Sequence, residues 1–303
     1  MLLAGQALAW QSFPLFCAAA ALLGATNAAL QQVRFAAMEC VPLEKGAAAA
    51  SIIMCAGIIA AFLGPELALL GKDLSSVEYR GSFWLGIGCL VAGGMLLTFY
   101  APARQFGREH HGEPRPWREM LGNRTLVLAV TSGAIAYIIM SFVMTATPIS
   151  MHIHHGHSLE DTKWVIQSHI AAMFLPSLLT AWLFKALSVR GLMIAGLLCY
   201  GATIVIGLLD VTVLGFWGQL VMLGIGWNFL FVSGTALLPT TYREGEQYRA
   251  QALNDSVVFS TQALASLSAG FAISVLSWQS ILLLCLLPIA VMIAALISNR
   301  QPL

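Results

Sequence analysis

The chain has 303 residues, 58% of them hydrophobic and only 10% charged, with a formal net charge of +1. Soluble domains carry about a quarter of their residues as charges, so a soluble fold of this length is excluded. A nucleic-acid partner is excluded too, because the basic residues form only short clusters beside apolar runs.

In chain order, apolar segments are predicted at 12–36, 47–70, 81–101, 125–149, 161–184, 191–210, 213–238, 250–275 and 279–298. Each is about the 20 residues needed to cross a hydrocarbon core about 30 Å thick. Lipid offers backbone groups no partner, and barrel-like alternation is absent, so the prediction is an all-α polytopic membrane protein with nine transmembrane helices. With the polar stretch 102–124 placed in the cytoplasm, every Lys and Arg except Lys72, Arg80 and Lys163 falls on the cytoplasmic side. That is the positive-inside pattern, and it predicts a bacterial inner membrane protein with a cytoplasmic C-terminus. The stretch 102–124, rich in Pro and charge, reads as a linker between residues 1–101 and residues 125–303. The six cysteines lie in or beside apolar segments without CxxC spacing and read as small core residues, not as a disulfide framework or a metal site.

A weak internal repeat relates the two parts. Leu23-Gly24 aligns with Leu223-Gly224 and Glu44 with Glu244, and the span, polar loop, span pattern of 12–70 recurs at 213–275. Under that symmetry the first part lacks counterparts of three spans. The expectation is a chain starting roughly 75–80 residues late, lacking about three N-terminal helices. A natural nine-helix protein is the alternative.

Several local patterns resemble the major facilitator superfamily of secondary transporters. RFAAMECVPLEKGAAAAS (34–51) resembles the exit of its fourth helix and the loop into the fifth. GIIAAFLGP (57–65) resembles the Gly-Pro motif of the fifth helix, and WLFKALSVRGLMIAG (182–196) the short basic loop between helices eight and nine. YREGEQYRAQALNDSVVFSTQALASLSAG (242–270) resembles the start of helix eleven. The resemblance covers the whole chain and makes its spans helices four to twelve. It implies two helical bundles, here a partial N-terminal one and a complete six-helix C-terminal one, that rock around a midplane site. Two departures count against a drug exporter: Ala20 stands where such members carry an Arg four residues before Gly24, and Glu66-Leu67-Ala68 follow the Gly-Pro motif. The segments RFAA, ALND and SLEDTKWVIQSHIAAMFLPS (158–177) look similar to a bacterial branch that includes riboflavin importers.

A transport path needs polar groups facing a cavity, since a polar group facing lipid is costly. Asn27 and Gln31 lie one turn apart on one helix face, with Arg34 a turn further on. They read either as a wall for a polar substrate or as interhelical glue, and Arg34 as a side chain that snorkels to the interface. His169 lies about eight residues into its span, roughly 12 Å deep. It reads as a substrate ligand or proton carrier, or equally as a structural His bonded to another helix. Tyr137 and Asn228 are mid-span candidates. Asn228 follows Gly224, Gly226 and Trp227, a group suited to stacking a planar ligand or to close helix packing. Asp255, near a helix start, is favoured by the helix dipole and should latch a facing cytoplasmic loop. By pseudo-symmetry, Glu39 or Glu44 should pair with Lys185 or Arg190 and hold one side closed, and Arg34 and Asp255 belong to the same set of gating, ion-pairing candidates. His152, His154, His155 and His157 fall in the stretch 151–161, read as a solvated loop rather than a metal site.

The combined expectation is a monomeric transporter of a small organic solute, with a planar vitamin such as riboflavin as the candidate. It is not an enzyme, needs no cofactor or metal, and has the lipid bilayer and its solute as partners. A drug or metabolite exporter of the same superfamily is the first alternative and a non-transporting membrane receptor the second.

Overall fold

The computed structural model describes residues 1–99, 115–243 and 245–299, without the side chains of Glu39, Leu43, Glu44, Ala47 and Ala181. Every regular element among the described residues is helical. Before the linker these are α1 (Leu2–Ala9), α2 (Phe13–Gln31), α3 (Val33–Glu39), α4 (Leu43–Lys72) and α5 (Arg80–Leu97). After it come α6 (Trp117–Leu121), α7 (Arg124–Pro148), α8 (Leu159–Phe174), α9 (Thr180–Leu209), α10 (Val213–Leu237), α11 (Gln247–Val275), α12 (Trp278–Leu284) and α13 (Leu286–Ser298).

Polar residues between the apolar runs start the helices. Ser12 caps α2, Asn123 caps α7, Ser158 caps α8, Thr212 caps α10 and Ser277 caps α12, each accepting a backbone N–H of the first turn. Such caps satisfy donors that have no partner inside the helix.

Among the described residues, eight helical stretches are long and apolar enough to cross a membrane. They match eight of the nine expected spans. The ninth, 161–184, is helical but broken: α8 ends at Phe174, a 3-10 turn runs through Leu175–Leu179, and α9 begins at Thr180. Pro176 has no N–H to continue the α-helical ladder, and Glu160, Asp161 and Lys163 lower the hydropathy of the first turn of α8. α9 in turn contains Ser188 in a left-handed conformation (φ 57°), which divides the expected spans 161–184 and 191–210. At the other end of α7 the helix runs on as a π turn, Ile149–His154, so the His-rich stretch is partly helical rather than all loop.

The packed core belongs mainly to residues 120–299, joined by Phe35, Met38 and Ala50 from before the linker. The membrane stretches containing α7 and α10 are 78% and 72% buried, against 6–11% for the three stretches before the linker. Ser132 Oγ of α7 donates to Leu230 O of α10 (2.6 Å), and Tyr200 Oη of α9 donates to Ala136 O of α7 (2.8 Å). At Gly226 the α10 backbone approaches α9 closely: a Cβ there would lie 2.8 Å from the Tyr200 ring. The glycines beside Asn228 therefore serve helix packing.

The polar end of this bundle is tied by a charged clasp. Arg115, at the end of the linker, places Nε 2.9 Å and Nη2 2.6 Å from the two carboxylate oxygens of Glu246. Its backbone N–H bonds the same carboxylate at 2.8 Å, as does that of Arg243 at 2.9 Å. Arg249 donates to Arg115 O and lies over the Trp117 ring, 4.3 Å from its centroid. The Arg115 hydrogen bonds hold the Glu246 carboxyl down to about 2, and the same bonds raise Arg115.

Candidate functional site

The two sides of the linker meet at two seams. At the first, Arg34 of α3 reaches Asp255 of α11: Nη2 lies 2.7 Å from Oδ1, with both residues buried. Gln32 Nε2 donates to Oδ2 (2.6 Å) and Asn254 Nδ2 to Oδ1 (3.0 Å). Arg34 Nη1 also donates to Gln31 Oε1 at 3.3 Å. The guanidinium lies 4.6 Å from the Phe35 ring centroid and 4.8 Å from that of Phe231 on α10. Both residues sit within membrane-length stretches. A charge there is tolerated only when paired and hydrogen-bonded. Neither the interfacial position expected for Arg34 nor the loop partner expected for Asp255 is what the structure contains; the two expectations merge into one ion pair.

At the second seam α4 crosses the broken helix. Ser51 Oγ donates to Thr180 Oγ1 (3.0 Å), and Thr180 Oγ1 donates to Ser177 O (2.9 Å). Gly57 of α4 lies against the ring of Phe174. Farther along, Lys163 Nζ is 3.9 Å from Glu66 of α4 and 3.1 Å from Glu160.

Between the seams lies a cavity of about 190 Å³. Gln31, Arg34, Met54 and Gly57 line it from one side; Tyr137, Met173, Phe174, Trp227 and Phe231 line it from the other. Its aromatic wall is continuous. Trp227 stacks on Phe231 with centroids 4.8 Å apart and planes at 18°. Tyr137 stands edge-on to both at 5.3 Å, and Phe174 edge-on to Trp227 at 5.8 Å. Edge-on and offset contacts of this kind are the favoured aromatic geometries. The site offers flat apolar surface, thioethers and one paired cation, a chemistry suited to a planar solute.

Of the candidate residues, Gln31, Arg34 and Tyr137 line the cavity. Asn27 is exposed on α2. His169 is fully buried within the second bundle, its Nδ1 donating to Leu220 O at 2.8 Å. Asn228 Nδ2 donates to Met173 O and Ser177 Oγ, both at 2.7 Å, and so ties down the break after α8. Arg190 donates to Leu296 O (3.0 Å) and Asn299 O (2.8 Å), closing the end of α13. Lys185 is exposed, and the Glu39 and Glu44 side chains lie outside the described residues. The sequence reading missed Phe174 and Phe231. Spacing on α10 held a clue to the second, since Phe231 follows Trp227 by one helical turn.

No model of a known protein family matches the chain. A riboflavin transporter, RfnT of Brucella anthropi, is 34% identical over 294 residues, which cover 96% of this chain and 74% of that protein. This chain belongs to the major facilitator superfamily. Two uncharacterized MFS-type transporters of Bacillus subtilis, YddS and YdeG, are each 28% identical, over 295 and 301 residues, covering 67% and 68% of their lengths. The facilitator is thus a multi-pass membrane protein whose relatives are transporters, and the resemblance read from its motifs, riboflavin branch included, is in line with them.

Proposed function

We propose that this facilitator carries riboflavin, or a similarly flat and polar aromatic solute, into the cell by alternating access of residues 1–101 against residues 125–303. The observation that carries the reading is the cavity between the seams, with its wall of Tyr137, Phe174, Trp227 and Phe231 and the paired Arg34 at its edge. The relative named as a riboflavin transporter supports the same solute. Alternating access needs contacts between the halves that form in one state and part in the other. The Arg34–Asp255 pair and the Ser51–Thr180 bond are of that kind. Exporter chemistry is disfavoured by Ala20 standing in place of an arginine before Gly24.

The test is uptake of labelled riboflavin and a panel of other vitamins by riboflavin-auxotrophic cells. One culture expresses the chain and another carries the empty vector. Saturable riboflavin uptake above the empty-vector level supports the proposal. Uptake of another panel member, or loss of preloaded riboflavin from expressing cells, overturns the solute or the direction.

A further inference from the structure

The cavity is too small for the solute proposed for it. About 190 Å³ falls below the roughly 300–1,000 Å³ of pockets that enclose drug-sized ligands. For the solute to be enclosed, some part of the wall must yield, and the walls differ in how firmly they are held. Tyr137, Trp227 and Phe231 are all under 10% exposed and pack on one another inside one bundle. Arg34 is fixed by Asp255. Among the aromatic rings of the wall, Phe174 is held least. It is only partly buried, it is the last residue of α8, and the backbone beyond it is the 3-10 turn Leu175–Leu179.

Its ring rests on a seat that only glycine provides. A Cβ on Gly57 would lie 2.5 Å from Phe174 Cε2 and 2.6 Å from both Cδ2 and Cζ. Ordinary carbon contacts are about 3.5–4.0 Å, so a methyl group there would drive the ring off α4. Trp227 stands edge-on to the same ring at 5.8 Å, and both rings line the cavity. A displaced ring would then occupy cavity volume. A retracted ring, or none, would enlarge it.

We infer that Phe174, seated on Gly57, is the specificity-determining wall of the transport cavity, setting how large a flat solute the site accepts. This rests on the riboflavin reading above and adds to it a residue pair and a size rule. The rule is that ligands sharing one ring system are ranked by the bulk attached to it.

The test is equilibrium binding of two labelled probes to the purified full chain in lipid nanodiscs. One probe is riboflavin; the other is lumichrome, a three-ring flavin relative without the ribityl chain. The readout is the ratio of their dissociation constants, which general loss of folded protein leaves unchanged. Phe174→Ala is expected to move the ratio about tenfold in favour of riboflavin, and Gly57→Ala about tenfold against it. The double variant Gly57→Ala/Phe174→Ala should behave like Phe174→Ala, because the added methyl then has no ring to displace. Gly64→Ala, on the same helix with open space around it, should leave the ratio at its wild-type value. If Gly57→Ala fails to fold, Phe174→Ala and the double variant decide the matter. Wild-type binding with a ratio unmoved by Phe174→Ala overturns the role of Phe174 and leaves the riboflavin reading standing. Wild-type protein that binds neither probe overturns both.

Discussion

Arg115 and Glu246 form a two-pronged ion pair, the guanidinium Nε and Nη2 each within 2.9 Å of a carboxylate oxygen. The Glu246 side chain is 1% exposed, whereas that of Arg115 keeps 12% of its surface. The pair joins the end of the linker to the turn that leads into α11, and two backbone N–H groups complete the carboxylate's partners. A buried carboxylate so supplied is stable as the anion and costly once its cation is removed.

A pH dependence follows. The Glu246 carboxyl is held at about 2, below its ordinary 4.5. A carboxylate depressed by folding contributes stability above its unfolded value, and that stability is lost as pH falls through its folded value. The apparent melting temperature in detergent should be level from pH 8 to about 5 and drop between about pH 4.5 and 2. Arg115→Met should lower stability by about 3–5 kcal/mol. It should also shrink the acid-dependent part of the curve, because the partner that depresses Glu246 is gone.

The Arg34–Asp255 pair gives a second expectation. Either Arg34→Met or Asp255→Asn leaves one buried charge unmatched, and each should cut riboflavin uptake at least tenfold. The joint replacement Arg34→Met/Asp255→Asn should recover folded protein toward the wild-type level, since removing both members of a buried pair is often close to neutral. Uptake at equal membrane abundance separates the two effects. If the singles transport normally, the seam has no part in the cycle.

Asn228 is expected to act as framework. Asn228→Ala strands Ser177 Oγ and removes a donor from Met173 O, a loss of about 1–3 kcal/mol. Thermal stability should fall while riboflavin affinity stays within threefold, measured by equilibrium binding.

His169 is expected to behave in the same way, the structural one of the two readings its sequence position allows. It is fully buried, bonds to the Leu220 carbonyl and stands outside the cavity lining. His169→Ala should reduce the amount of folded protein, and the remaining fraction should bind riboflavin with wild-type affinity. A tenfold weaker affinity in that fraction would restore His169 to the site.

The spans were legible because bilayer thickness writes itself into chain length. The expected 213–238 and 125–149 became Val213–Leu237 and Arg124–Pro148. The break in 161–184 was visible only as Pro176, and a proline alone does not say whether a membrane helix kinks or splits. The particular partners that meet across the linker were not legible. Arg34 was read by its own helix end and Asp255 by its own helix start, and nothing local in either segment refers to the other. The aromatic wall was half legible: Trp227 stood out beside its glycines, while Phe174 takes its meaning from Gly57 on a different helix.

The Arg34–Asp255 contact also sets an order of events during synthesis. Arg34 leaves the ribosome 221 residues before Asp255, which at about 5–20 residues per second is an interval of roughly 10–40 s. Throughout it the arginine lacks Asp255 as its countercharge, and insertion scales put a lone arginine at mid-helix at about 2.5–3.5 kcal/mol unfavourable. Its place on the short α3, near the end of the stretch Phe13–Met38, leaves the guanidinium within reach of lipid headgroups while it waits. The seam that Arg34 and Asp255 make between the two sides of the linker can therefore close only after α11 has been synthesised.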